Sequence, residues 1–122
     1  MFKLGECYSR KQINAAIGGS VQSYLPSVGN HVVAGCFNPV YDPQAPNVVL
    51  PGRGPVIQGS AEKFAIQGHA VPVFLKRRVN FWEYVGQYRV VRQSHDLDEI
   101  EVYAQRARRI GDVTSVLFLD AV

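Results

Sequence analysis

Ile13, Ala16 and Ile17 recur at helical spacing behind Ser9, a good N-cap, and Gly18-Gly19 ends the run, which predicts a short amphipathic helix of about nine residues. Polar residues then take over. Residues 20–26 read as a loop, 27–30 as a turn, and the β-branched run 31–37 (His31-Val32-Val33-Ala34-Gly35-Cys36-Phe37) as a central strand. Residues 38–59 break every period: Pro39, Pro43, Pro46, Pro51 and Pro55, with Gly52, Gly54 and Gly59, exclude a long helix or an interior strand and leave a structured loop with at most a short strand over 47–50. Ser60 predicts the cap of a second, two-turn helix that runs to Gln67 and stops at Gly68.

The strongest hairpin signal follows: residues 71–76 as a strand, Arg77-Arg78-Val79-Asn80 as a charged turn, and residues 81–91 as the return strand. Alternation along that strand puts Trp82, Tyr84, Gly86, Tyr88 and Val90 on one face, and Glu83, Val85, Gln87, Arg89 and Val91 on the other. Ile100, Tyr103, Ala104 and Ala107 then stripe a third helix from Asp98 toward Gly111, with a strand as the alternative at its start, and residues 113–119 close the chain as a buried strand. Together these elements predict an α+β fold, a twisted, mostly antiparallel sheet with two or three short helices, in one domain over residues 1–122.

A chain of 122 residues can bury one core, and its 47% apolar and 19% charged residues describe a globular domain with no membrane-spanning stretch. The first residues lack the apolar centre of a secretory signal, so a cytoplasmic protein with Cys7 and Cys36 reduced is expected. The net charge of +3 is uneven: residues 1–95 hold ten Lys/Arg against four Asp/Glu, and residues 96–122 hold three against six. A basic body attracts polyanions, although solvated surfaces often carry such an excess.

Catalytic and metal-binding motifs are absent from the sequence. His31, His69 and His95 are too far apart for a zinc motif, no phosphate-cradling glycine loop precedes a helix, and Cys36 lies in an apolar run where a thiol behaves as a small hydrophobe. No catalytic residue, metal or cofactor is therefore assigned. Asp96, Asp98, Glu99 and Glu101 suit a helix start, and Arg106, Arg108 and Arg109 suit a helix end, each through the helix dipole. The constructive signal is Lys76, Arg77, Arg78, Arg89 and Arg92 with Phe81, Trp82, Tyr84 and Tyr88 on one hairpin, cations for phosphates beside ring faces for bases. Core aromatics and a solvated turn would leave the same trace.

Tyr8-Ser9-Arg10 entering a helix, the Gln22-Ser23-Tyr24 loop, and Phe74-Leu75-Lys76 followed by Phe81-Trp82-Glu83-Tyr84-Val85-Gly86-Gln87-Tyr88 resemble small SRA-like domains of the PUA-like superfamily, over residues 7–92. Trp-x-Tyr-x-Gly-x-Tyr carries most of the resemblance. It implies a sheet curved toward a barrel and a reader that takes an extruded, modified base of DNA into a pocket, as in modification-dependent restriction systems. In that picture Tyr24 or Trp82, with Tyr84, would stack on the base, Gln22, Ser23 and Asp42 would read its polar edge, and Arg10, Arg53, Lys76, Arg77 and Arg89 would hold phosphates. An SRA domain proper is longer and carries finger loops into both grooves, for which this chain has only the Gln22 loop and the proline-rich loop. It also has no nuclease module, so cleavage would need an effector nuclease on another chain.

Three readings stand at this point. A reader of modified DNA, or of RNA, predicts salt-dependent binding. A protein-interaction or inhibitor module would use the aromatic hairpin and the proline-rich loop. A small PUA-like hydrolase would pair Lys76 with Glu83.

Overall fold

The computed structural model describes residues 1–122. A two-residue strand β1 (Cys7–Tyr8) leads into α1 (Arg10–Ile17), whose cap is reciprocal: Ser9 Oγ accepts from the Gln12 amide, and the Gln12 side chain accepts from the Ser9 amide. β2 (Ser27–Val28) and β3 (His31–Val32) form a separate two-stranded ribbon. β4 (Gly35–Phe37), β5 (Val48–Val49), α2 (Pro55–Gln67), β6 (Val71–Arg78), β7 (Phe81–Ser94), α3 (Leu97–Arg106) and β8 (Val116–Ala121) follow. The main sheet runs β4-β6-β7-β8-β5, with β1 also on β7; β4 is parallel to β6 and every other pairing is antiparallel. The α+β expectation holds, with a mixed sheet and three helices. β4 and β5 are free edges, so the sheet is open rather than rolled into a barrel.

The two faces of the sheet bury different cores. One carries Val71, Val73, Leu75, Val90, Leu117 and Leu119 against Ala61 and Phe64 of α2. On the other, α1 places Ile13 against Phe74, Trp82 and Tyr84, and further along α3 places Ala104 beside Val116 and Leu50. Phe64, Phe74 and Ile13 are fully or almost fully buried, so each helix docks through at least one sealed side chain or a close-fitting alanine.

The structure moves the bounds of the hairpin and of the last strand by a few residues, and it departs further from the sequence reading in three places. Residues 31–37 are not one central strand: β3 joins the small ribbon, β4 lies at the sheet edge, and β7 is central. The loop before it causes the break, because Val33 donates its amide to Pro26 O and Cys36 to Tyr24 O, and those donors are lost to a sheet neighbour. α2 starts at Pro55, inside the proline-rich stretch, and leaves Ser60 within the helix rather than at its cap. A proline at the first helical position has no hydrogen bond to lose and a φ already suited to the helix. Finally, the aromatic row of β7 is split. Phe74 faces Tyr84 but Val73 faces Gly86, so Val85 is an extra residue in a bulge where Gly86 has φ +122°. One extra residue reverses the alternation: Trp82 and Tyr84 face α1, and Tyr88 and Val90 face the α2 side.

Candidate functional site

A cleft of about 840 Å³ opens where the 20–24 loop, the proline-rich segment, the start of α2, the β6–β7 hairpin and the α3–β8 loop meet. The 20–24 loop is tied to α1. Arg10, 9% exposed, donates through Nη2 to Ser20 O at 2.9 Å and Ser23 O at 2.7 Å, and its guanidinium lies 5.2 Å from the centre of the Trp82 ring. Ser20 Oγ accepts from the Gln22 and Ser23 amides, which fixes the backbone while the Gln22 side chain stays exposed at the cleft. Tyr24 donates its hydroxyl to Ile57 O in the first turn of α2 at 2.6 Å, and burial holds its pKa well above the ordinary phenol value, with the nearby Asp42 carboxylate adding to the rise.

The opposite wall is built from two distant loops. Asp42 is 8% exposed. Its Oδ1 accepts from the Leu50 amide at 3.0 Å and from Arg109 Nη1 at 3.2 Å. Burial pushes the Asp42 carboxyl up to about 6, against the lowering effect of the Leu50 amide and the Arg109 guanidinium. Arg109 also donates from Nη1 to Tyr41 O at 3.0 Å and from Nε to Asp112 at 3.3 Å. Arg53 Nε donates to Gly111 O at 2.6 Å, and Thr114 Oγ1 bridges to Pro51 and Gly52 carbonyls, so residues 41–53 and 109–114 form one interlocked wall. α2 begins in this wall with no side-chain cap, which leaves the first-turn amides and the positive end of the helix dipole near the cleft mouth.

The floor belongs to the hairpin. Trp82 is 9% exposed, and Lys76 sits 5.8 Å from its ring centre. Val79 and Asn80, at the hairpin tip, complete the rim; Asn80 takes a left-handed φ of 61°, and Val79 is largely exposed. Cys36 borders the cleft but is buried, and that burial pushes its thiol up to about 12, so it stays protonated and unreactive.

Of the residues singled out from sequence, Gln22, Ser23, Tyr24, Asp42 and Trp82 meet at this cleft, with Arg10, Arg53 and Lys76 around them. Three do not. Tyr84 is a core side chain behind Trp82, against Phe74 and Phe2. Arg77 is paired with Glu83 at 2.7 Å, away from the cleft lining. Arg89 stands on the exposed middle of β7 opposite Asp120. Arg10 is at the cleft, but its Nη2 is committed to the loop carbonyls, so it shapes the site from below. Sequence reasoning missed Arg109, which helix-end electrostatics explained too readily.

The Lys76–Glu83 pair is not assembled. Lys76 faces Trp82 across the hairpin while Glu83 faces Leu75, which puts the two side chains on opposite sides of the sheet. No three His, Cys, Asp or Glu side chains converge as a metal-holding group.

A family described as a domain of unknown function, DUF6697, matches residues 7–111. No curated protein matches the chain. Among solved structures, it is similar to the sulfur-binding domain and SRA domain of ScoMcrA complexed with phosphorothioated DNA, with a TM-score of 0.55, 16% identity, and coverage of 99% of this chain and 40% of that one. It is also similar to the type IV phosphorothioation-dependent restriction endonuclease ScoMcrA, with a TM-score of 0.52, 17% identity, and coverage of 98% of this chain and 26% of that one. The chain thus spans less than half of either neighbour, and the likeness shows an SRA-like fold.

Proposed function

The chain belongs to the DUF6697 family, and we propose that it is a DNA-binding reader of modified DNA, residues 1–122 acting as one module that binds without cutting. The observation that carries this reading is the convergence of Trp82, Tyr24, Gln22, Ser23 and Asp42 on one cleft rimmed by Lys76 and Arg53. An indole floor with cations at its edge suits a stacked base and its phosphates. At about 840 Å³ the cleft also has the scale of a small-molecule pocket, room enough for an extruded nucleotide rather than a lone side chain. Extrusion costs a few kcal/mol of unstacking, which stacking on Trp82 or Tyr24, hydrogen bonds with Gln22 and Ser23, and one accepted by Asp42 would offset.

In this reading Arg53, Lys76 and the uncapped start of α2 meet the phosphates, and Arg10 holds the loop that carries Gln22. One ScoMcrA neighbour is a complex with phosphorothioated DNA and the other a phosphorothioation-dependent restriction endonuclease, which makes a sulfur-modified backbone one of the substrates to try beside modified bases. An effector nuclease would then be supplied elsewhere.

Fluorescence-polarisation titrations at two salt concentrations test the proposal, using unmodified, methylated, hydroxymethylated and phosphorothioated duplexes, single-stranded DNA and RNA. The expected result is a preference for one modified duplex, weakened by salt, with Lys76→Gln and Arg53→Gln each lowering affinity and making the salt slope shallower by about one. Absence of binding to every probe would overturn the reading.

A further inference from the structure

Arg109 makes three polar contacts with groups far from it or near it in sequence, and one of them is the carboxylate of Asp42 in the cleft wall. Asp42 Oδ1 is used twice, by the Leu50 amide and by Arg109 Nη1. Its Oδ2 accepts nothing from the chain and is not sealed from solvent, and the same holds for Arg109 Nη2. Both residues line the cleft. A carboxylate with one oxygen fixed and one free can still accept a charge-assisted hydrogen bond from a ligand.

We propose that Arg109 is the positioning residue of the cleft: through Nη1 it orients Asp42, so that Asp42 Oδ2 accepts a hydrogen bond from an N–H on the edge of the ligand. The inference rests on reading the cleft as the ligand site. Without Arg109, Asp42 keeps only the Leu50 amide as a stabilising partner, and burial beside Tyr24 favours the neutral acid. A neutral acid presents a different hydrogen-bonding pattern to the same edge. Tyr24 is the other titratable group that Asp42 acts on, and the remaining charged side chains lining the cleft, Asp112, Arg53, Arg10 and Lys76, make no bond to its carboxylate. Recognition of an N–H edge therefore weakens as pH falls through about 6, and loss of Arg109 moves that midpoint upward.

Two measurements on the full chain separate this inference from the DNA reading. The first follows the Asp42 side-chain carboxyl carbon by NMR from pH 4 to 8 in the unliganded protein, in wild type, Arg109→Gln and Arg109→Lys. The midpoint is expected to rise by about one unit or more in Arg109→Gln and to lie between the two in Arg109→Lys, which retains a cation at the site. The second repeats the duplex titration at pH 5.5 and 7.5 with the phosphorothioated and methylated duplexes. Arg109→Gln is expected to weaken binding at both pH values, and at pH 5.5 by about tenfold, because a midpoint raised by about one unit leaves about tenfold less of the Asp42 carboxylate there. An Asp42 midpoint that stays put in both folded variants overturns the inference, as does undiminished binding with a displaced midpoint. If no duplex binds wild type while the midpoint still moves, the DNA reading fails and Arg109's hold on Asp42 stands without a role in recognition.

Discussion

Two arginine–carboxylate pairs flank α3, and they are built for different ends. Arg92 meets Glu99 in a bidentate pair at 2.9 and 3.0 Å, with side chains 55% and 29% exposed. Arg109 meets Asp42 through a single contact at 3.2 Å, with side chains 13% and 10% exposed. The outer pair titrates as an ion pair should: the Arg92 guanidinium and a Ser94 hydrogen bond hold Glu99 down at about 2. The inner pair does the reverse, since burial outweighs its partners and lifts Asp42 to about 6. Geometry is better where water is plentiful, and charge is dearer where the cleft is. A carboxylate kept buried at a net electrostatic cost, beside an open cavity, marks a site more reliably than a well-formed surface bridge does.

The contrast can be broken most forcefully at Arg109. Arg109→Ala leaves the Asp42 carboxylate buried and unpaired at neutral pH, and urea denaturation should show a loss of about 3–5 kcal/mol at pH 7.5. At pH 5 the acid is protonated, so the loss should shrink; equal losses at both pH values would mean that the pair is not held by charge.

The next effect is a pH slope. The folded-state pKa of Asp42 lies above its usual 3.8, so the folded protein binds this proton more tightly than the unfolded chain. The Asp42 contribution to stability is fully present below pH 4 and is lost as pH rises through about 6, amounting to about 3 kcal/mol across that window at 1.36 kcal/mol per unit. Asp42→Asn should flatten this part of the profile. Matching slopes in wild type and variant would show that Asp42 does not titrate there. Glu99 works with the opposite sign: its lowered pKa gives stability above the usual carboxylate range that is lost as pH falls toward 2. The smallest effect belongs to the outer pair, where Arg92→Ala should barely move the denaturation midpoint and leave duplex affinity unchanged.

The same contrast explains what the sequence made legible. Spacing and composition located the helices, the hairpin and the loops that border the cleft, because Gln22, Ser23, Tyr24, Lys76 and Trp82 are placed by local structure. Arg109 depends on a partner 67 positions away, and its local surroundings already offered a sufficient explanation in the helix dipole. Tyr84 shares a face with Trp82, as alternation along β7 says, but packs against Phe2 and Phe74 instead of opening on the cleft; Tyr88 is the residue that alternation misplaces. A glycine inside a strand is a recognised sign of a bulge, and Gly86 could have warned that the alternation fails between Tyr84 and Tyr88. The late start of the second predicted helix has a similar cause, since a proline was taken as a breaker where it serves as the first helical residue. Arg77 and Glu83 face each other only once the hairpin register is known.

Trp82 is the only tryptophan in the chain, and it lines the cleft with two cations at 5.2 and 5.8 Å from its ring centre. Indole emission responds to nearby charge and to water, so the protein carries a native optical reporter at the spot where a ligand would sit. Every photon it emits comes from the cleft, with no second indole to dilute the signal and no dye to perturb the wall.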